Sequence, residues 1–453
     1  MFKKNLNYEV AVINYPLMDP RLKPRDFRSY MQLDYTSIDP WNVPVYIHIP
    51  FCSSICKFCV YSRQIPDSDK ILREYAEALK KEISFYGKSP YIQSMNIGAI
   101  FIGGGTPTVL SSKYLKEIIK ILKDYLPLKN PEITVECNFS SADEEKIYAL
   151  SESGVTRIST GVQTFSQRRR EVLELGYTSE DIFNWINMVR KYTFKDISID
   201  LMYGLPGQTI KEWESDLQTA LSLPIDHFSI YKLTVFAYVK LYHELQNKKV
   251  PPLPEEAKIF EMFSLADSIL SKNNYVVQSS QEYCRRNRQS LFWDFTYDGY
   301  GDNLSFGTFS FGYLNGINYQ NLSNPREYIT AIREGQLPIK MVSKKITVEQ
   351  LQERTMMLSF RKGFVDRSIF YTQYGEQLEN KFGEILQKLL KKKYIADCKN
   401  GYELTPLGRY YQGNVSAEFM RSTFDNVSPL KKKMAIGMHV IPDALDAVKG
   451  RSS

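Results

Sequence analysis

The feature that most constrains this 453-residue chain is a series of six short β-branched runs, each followed by an amphipathic stretch, between about Pro44 and Val235. The strand candidates are Val45–Ile49, Ala99–Ile102, Ile133–Glu136, Arg157–Gly161, Ile197–Met202 and Phe228–Leu233. Between the first two, Ile71, Leu72, Tyr75, Ala78, Leu79 and Ile83 recur at the helical period within Ser68–Gly87. Ser111–Leu126, Asp143–Glu152, Ser179–Tyr192 and Ile210–Leu221 repeat the pattern, with Ser111, Asp143 and Ser179 as N-cap candidates. Strand-then-helix units in series predict a parallel sheet with right-handed crossovers, curling toward a barrel. The expected fold is α/β: a partial (β/α)6, TIM-like barrel.

In such barrels the working residues sit at the C-terminal ends of the strands. A cysteine loop follows the first strand, Gly103-Gly104-Gly105 follows the second, and Glu136 ends the third; Gln163 follows the fourth and Asp200 lies on the fifth. All five features fall on one rim, which predicts a single active site there.

The cysteine loop reads Cys52-Ser-Ser-Ile-Cys56-Lys-Phe-Cys59, a CxxxCxxC spacing. One closed loop can turn three thiols toward one point. Three thiolates suit a [4Fe–4S] cluster whose fourth iron has no protein ligand. The alternative is a zinc knuckle completed by His48 or Cys137, although the spacing lacks the paired zinc pattern. The other cysteines, Cys137, Cys284 and Cys398, stand alone and read as small apolar residues. Glycines at a strand end let backbone approach a ligand closely, and a tight turn would use them equally well.

Hydrophobic content of 43% and charged content of 24% suit a globular chain with one large and one or two smaller domains. No run reaches the ~20 apolar residues of a membrane span, and Met1-Phe-Lys-Lys-Asn-Leu lacks a signal peptide's apolar centre, so a cytoplasmic location is expected. A net charge of +7 without a dense basic stripe does not point to nucleic acid. The expected division is an N-terminal arm (1–42), the core barrel (43–250), a barrel extension and substrate-facing cap (251–346), a winged-helix-like α+β domain (347–425) and a flexible basic tail (426–453). Val250-Pro-Pro-Leu-Pro254 reads as a linker, and Tyr394–Leu404 as a hairpin turning at Asn-Gly.

Taken together, Tyr46-Ile-His-Ile-Pro-Phe-Cys-Ser-Ser-Ile-Cys-Lys-Phe-Cys59, Gly103-Gly-Gly-Thr-Pro-Thr108, Gly161-Val-Gln-Thr-Phe165 and Asp200-Leu-Met-Tyr-Gly-Leu-Pro-Gly-Gln208 resemble a family. It is the radical S-adenosylmethionine (SAM) enzymes of the oxygen-independent coproporphyrinogen III oxidase group. The resemblance is collinear from about Val43 to Val235 and continues more weakly to about Phe419. It implies a [4Fe–4S] cluster on Cys52, Cys56 and Cys59 with SAM on the open iron. Phe58 would lie near the adenine, and Gly104, Gly105 and Thr106 at the amino acid end. Glu136 and Gln163 would bind methionyl and ribose groups and Asp200 the ribose; Tyr46 and Thr234 would line the cofactor, and His48 would support the cluster.

The implied reaction is hydrogen abstraction from a tetrapyrrole-like or other large planar substrate, best matched by oxidative decarboxylation of the coproporphyrinogen III kind. The alternatives are a related methyltransferase (haem ring-opening, or natural-product methylation or cyclopropanation) and a haem chaperone. An electron donor such as flavodoxin or ferredoxin and a monomeric state are implied. The arm before Tyr46 resembles the oxidase. Two positions depart from it: Tyr61 replaces a fourth Cys, and Leu175 replaces an Arg that holds the SAM carboxylate, with Arg168, Arg169 and Arg170 as candidate substitutes. Tyr61 is compatible with a different second-substrate site, including a second SAM.

Overall fold

A computed structural model describes residues 15–19, 22, 42–299 and 301–421. Most of the expected arm and the whole expected tail therefore lie outside the described residues. The first strand, β1 (Met18–Asp19), precedes six that match the predicted runs: β2 (Asn42–Ile49), β3 (Asn96–Gly104), β4 (Leu128–Cys137), β5 (Arg157–Gln163), β6 (Asp196–Tyr203) and β7 (His227–Lys232). These six are parallel and adjacent in sequence order. Three short strands extend the same sheet: β8 (Tyr275–Val277), β9 (Glu282–Arg285) and β10 (Leu304–Phe306). The resulting nine-stranded order is β10-β2-β3-β4-β5-β6-β7-β9-β8, with β10 parallel to β2 and β9 antiparallel to β7.

The outer face is packed by the predicted helices. Asp69–Tyr86 buries Ile71, Leu72, Tyr75, Ala78, Leu79 and Ile83, the positions of its apolar stripe. Leu79 is fully buried, so truncating it to Ala would cost about 2–5 kcal/mol. Ser111 caps Ser112–Tyr125 through Tyr114 N, and Asp143 caps Glu144–Glu152 through Lys146 N. Ser179 is not a cap. Thr178 takes that place in a reciprocal box with Asp181, while the Ser179 hydroxyl donates to Phe165 O at 2.7 Å. The box was legible as T-x-x-D, one residue earlier.

Residues 251–346 add β8, β9 and β10 to the edges of this sheet. Trp213 on helix Ile210–Leu221 donates its indole N–H to Met262 O (2.9 Å) on helix Glu256–Lys272, which joins the extension to the core. A second sheet, β11 (Phe311–Leu314), β12 (Ile317–Asn321) and β13 (Ile339–Ser343), is antiparallel, and β1 adds to its edge. Tyr15 donates to Glu353 Oε2 at 2.5 Å, so the described part of the arm lies on the extension and on helix Val348–Lys362. The C-terminal module is helices plus a three-stranded sheet of β14 (Phe364–Asp366), β15 (Ile395–Cys398) and β16 (Gly401–Leu404). Its hairpin turns at Lys399-Asn400 rather than Asn-Gly, because Gly401 already pairs with Cys398. A Cβ on Gly401 would overlap Val365 O at 1.8 Å, so β14 requires the glycine. Among the described residues no helix is long and apolar enough to cross a membrane.

Candidate active site

The loop after β2 is closed at its base by backbone pairing: Cys52 N donates to Gln64 O (3.0 Å) and Gln64 N to Pro50 O (2.8 Å). Its tip folds back through Cys59 N to Cys56 O at 3.2 Å. Lys57 pins the outer side, pairing with Glu174 at 3.1 Å and Glu244 at 2.8 Å while its carbonyl accepts from Leu241 N. Cys52, Cys56 and Cys59 are free, partly buried thiols. Burial pushes Cys52 up to about 11 and Cys56 up to about 12, the latter also against the other two sulfurs; burial raises Cys59 as well. Such thiols ionise when a metal takes the proton's place. Thr106 Oγ1 donates to Cys52 Sγ at 3.5 Å, the kind of hydrogen bond that tunes a cluster sulfur.

The donor set fits a cluster with three protein ligands better than a zinc knuckle. Neither proposed fourth ligand is available. Cys137 is buried with its sulfur toward Val135 O, and both His48 nitrogens are engaged, Nδ1 with Tyr46 Oη (3.1 Å) and Nε2 with Ser62 O (3.0 Å). Burial lowers His48 to about 4, so the ring is neutral, donates from Nε2 to the carbonyl and accepts from Tyr46. This chain of bonds ties β2 to the cysteine loop.

The glycine triplet has a specific cause. A Cβ on Gly103 would lie 2.7 Å from Glu136 Oε2, one on Gly104 2.8 Å from the His48 ring, and one on Gly105 2.6 Å from Phe51 O and 3.0 Å from Cys52 Sγ. Gly104 also has φ +115° and donates its N–H to Glu136 Oε2 at 3.0 Å. The triplet therefore makes room for a carboxylate, an imidazole and a thiol at one strand end. Gly103, on the predicted rim but not among the residues expected to meet SAM, belongs with the other two.

Paired residues of parallel strands point to the same face. Tyr46 stands beside Phe101, Glu136 beside Ser159, Gly161 beside Asp200, and Asp200 beside Ser229. This face is polar rather than packed with branched apolar residues. Burial raises Glu136 to about 8, helped by Asp200, and raises Asp200 to about 7. Glu282 on β9, which sequence reasoning passed over, is raised to about 8 by burial and then by Asp200, and accepts from Ser229 Oγ at 2.9 Å.

Gln163 ends β5 with φ +68°, a left-handed conformation uncommon outside glycine. Two buried charges hold the turn. Asp216 accepts from Phe165 N (2.8 Å) and Ser166 N (3.1 Å) on Oδ1, and from Thr164 Oγ1 (2.6 Å) on Oδ2. Arg170 donates to Val162 O (3.0 Å), Thr164 O (2.7 Å) and Tyr177 O (2.5 Å). The Gln163 side chain accepts from Tyr231 Oη at 2.9 Å. Arg169 is likewise committed, to Pro206 O (2.5 Å) and Glu212 (3.2 Å), and Arg168 is exposed. Leu175 joins Phe58, Leu173, Met202 and Leu233 in an apolar cluster at the rim. Thr234 follows in the half-buried turn after β7.

Comparison with known proteins places this geometry. The Radical SAM superfamily model matches residues 46–220. The haem chaperone HemW of Bacillus subtilis (strain 168) is 32% identical over 381 residues, covering 83% of this chain and 98% of its own. Anaerobilin synthase of Escherichia coli O157:H7 is 25% identical over 397 residues, covering 87% of this chain and 88% of its own. The solved structure of coproporphyrinogen III oxidase (HemN) from Escherichia coli shares the fold, with a TM-score of 0.78 at 20% identity over 92% of this chain and 98% of that one. The chain belongs to the radical SAM superfamily, in the group of the oxygen-independent coproporphyrinogen III oxidases and haem chaperones. This family uses a [4Fe–4S] cluster and SAM.

Proposed function

We propose that this chain is a radical SAM enzyme that takes a hydrogen atom from a planar, tetrapyrrole-like substrate held inside the barrel, with oxidative decarboxylation of the coproporphyrinogen III kind as the first assignment. The observation that carries the proposal is the strand end where the glycine triplet brings the Glu136 carboxylate, the His48 ring and the Cys52 thiol together. When bound, the cluster and SAM supply a 5′-deoxyadenosyl radical, the species able to break an unactivated C–H bond.

Cys52, Cys56 and Cys59 would hold the cluster. Glu136, anchored on Gly104 N, would accept from the methionyl amino group, and Gln163 and Asp200 would bind the ribose. Phe58 would cover the adenine, with Tyr46 and Thr234 lining the site. The helix Leu291–Thr296 and the aromatic bank it carries would exclude water. The same division into arm, core, cap, winged-helix-like module and tail is assigned here, with a flavodoxin- or ferredoxin-like donor, a monomer and a cytoplasmic setting.

A second reading, a haem chaperone, is favoured by the identity with the Bacillus subtilis relative over 98% of that protein. One experiment separates the readings: anaerobically reconstituted protein is incubated with SAM, reductant and coproporphyrinogen III or haem. Deoxyadenosine with vinyl product supports the first assignment. Deoxyadenosine with S-adenosylhomocysteine moves the reaction to methyl transfer. Stoichiometric haem binding without SAM cleavage overturns the enzyme reading in favour of the chaperone.

A further inference from the structure

Building on that reading, we propose that Tyr231 is a positioning residue for the cofactor: its phenol holds the Gln163 amide with the NH2 end turned toward bound SAM. Tyr231 is on β7, two residues beyond Ser229, so its side chain leaves the same face of the sheet as Ser229 and lies nearer the C-terminal rim. Its Oη donates to Gln163 Oε1 at 2.9 Å, and among the described residues neither the phenol nor the amide makes another hydrogen bond. This contact sets the polarity of the amide. Turned over, the amide would present its NH2 to the phenol, whose O–H would then have no acceptor.

The rest of the side chain is fixed as well. A Cβ on Gly161 would lie 2.4 Å from Gln163 Nε2, so the glycine leaves the space that the NH2 occupies. Gly161 pairs with Asp200 on β6, and paired residues of parallel strands share a face, which sets the NH2 beside Asp200. The backbone beneath is held at φ +68° by the bonds of Asp216 and Arg170 to the same turn. Gln163 is only 8% exposed, yet its Nε2 meets no acceptor among the described residues. A buried amide with its oxygen occupied and its NH2 unanswered is set to donate to a ligand. A hydroxyl suits that place, since it accepts from Nε2 and donates to Asp200, and a ribose carries such hydroxyls. Without the phenol O–H the amide is free to turn over, and the subsite loses its donor.

The test uses full-length, anaerobically reconstituted protein, with SAM affinity from equilibrium dialysis and iron and sulfide per chain measured on each sample. Tyr231→Phe keeps the ring, which packs on the apolar cluster of Leu173, Met202 and Leu233, and removes only the hydroxyl. It is expected to weaken SAM binding about five- to tenfold with its cluster intact. Gln163→Gly removes the amide and adopts φ +68° without strain. In that background Tyr231→Phe is expected to change affinity by no more than about twofold, because the hydroxyl acts through the amide. Wild-type affinity in Tyr231→Phe, an equal loss in both backgrounds, or loss of iron from Tyr231→Phe each overturns the proposal; the second assigns Tyr231 to packing and the third to cluster support. Wild-type affinity in Gln163→Gly also overturns it, by removing the residue through which Tyr231 acts. Wild type that holds its cluster and does not bind SAM overturns the radical reading and this proposal with it, a result distinct from any variant effect.

Discussion

Replacing Asp216 tests whether the strained turn at Gln163 is held in the way the hydrogen bonds indicate. In Asp216→Ala, two amides and a hydroxyl, all inside the protein, lose their acceptor. Each unsatisfied group costs about 1–3 kcal/mol, and some of this is recovered by water and relaxation, so the expected loss is about 3–5 kcal/mol. Asp216→Asn is the informative control. Both amides bond to the same carboxylate oxygen, which the amide oxygen reproduces, and the new NH2 can donate to Thr164 Oγ1; the expected loss is about 1 kcal/mol. Without the clamp, Gln163 relaxes from φ +68° and its side chain leaves the rim. Urea unfolding followed by circular dichroism measures the first effect, and equilibrium dialysis of SAM the second, where Ala should weaken binding at least tenfold and Asn less than threefold. An Ala variant within ~1 kcal/mol of wild type, binding SAM normally, would refute the clamp.

Two predictions concern pH, and one concerns the loop. Glu136 is raised to about 8 in the free protein, so ionising to accept from the SAM amino group releases a proton. Affinity should fall as pH drops below about 8, by up to about tenfold per unit, and Glu136→Gln should flatten the profile; a flat wild-type profile between about pH 6.5 and 8.5 counts against the assigned pairing. Glu82 is fully buried, accepts from Gly307 N, Asn321 Nδ2 and Tyr328 Oη, and is raised by burial to about 7. A carboxyl whose folded pKa exceeds its unfolded one stabilises most below the unfolded value, and that stability is lost as pH rises through the folded one. Wild type should therefore lose more stability than Glu82→Gln between about pH 4.5 and 7, read as the difference in urea midpoints; parallel midpoints would remove the effect. Gly104→Ala, placing a methyl 2.8 Å from His48 at φ +115°, should cost about 1–3 kcal/mol and lower the iron retained on desalting, and full retention would contradict the packing account.

Much of this arrangement was readable because it is local. The six core strands and their helices follow from residue periodicity, and the rim placement of Cys52, Gly104, Glu136, Gln163 and Asp200 follows from the strand-then-helix order. What sequence could not supply depends on contacts distant in the chain. Strands β8, β9 and β10 are three to four residues long, and only the pairing of β9 to β7, β8 to β9 and β10 to β2 makes them part of the sheet. Arg169 and Arg170 read as candidate anchors for a carboxylate, yet they are taken up by backbone carbonyls that appear only when the turn folds. Gln163 carries no local mark of its left-handed backbone, because Asp216, some fifty residues later, imposes it.

The central claim is that Cys52, Cys56 and Cys59 hold a [4Fe–4S] cluster with an open iron. Its most direct test is iron and acid-labile sulfide per chain, with electron paramagnetic resonance of the reduced protein before and after SAM is added. The account predicts about four of each per chain, a signal whose shape SAM changes, and loss of both in Cys56→Ala. Stoichiometric zinc without sulfide, or a cluster signal that SAM leaves unaltered, would contradict it.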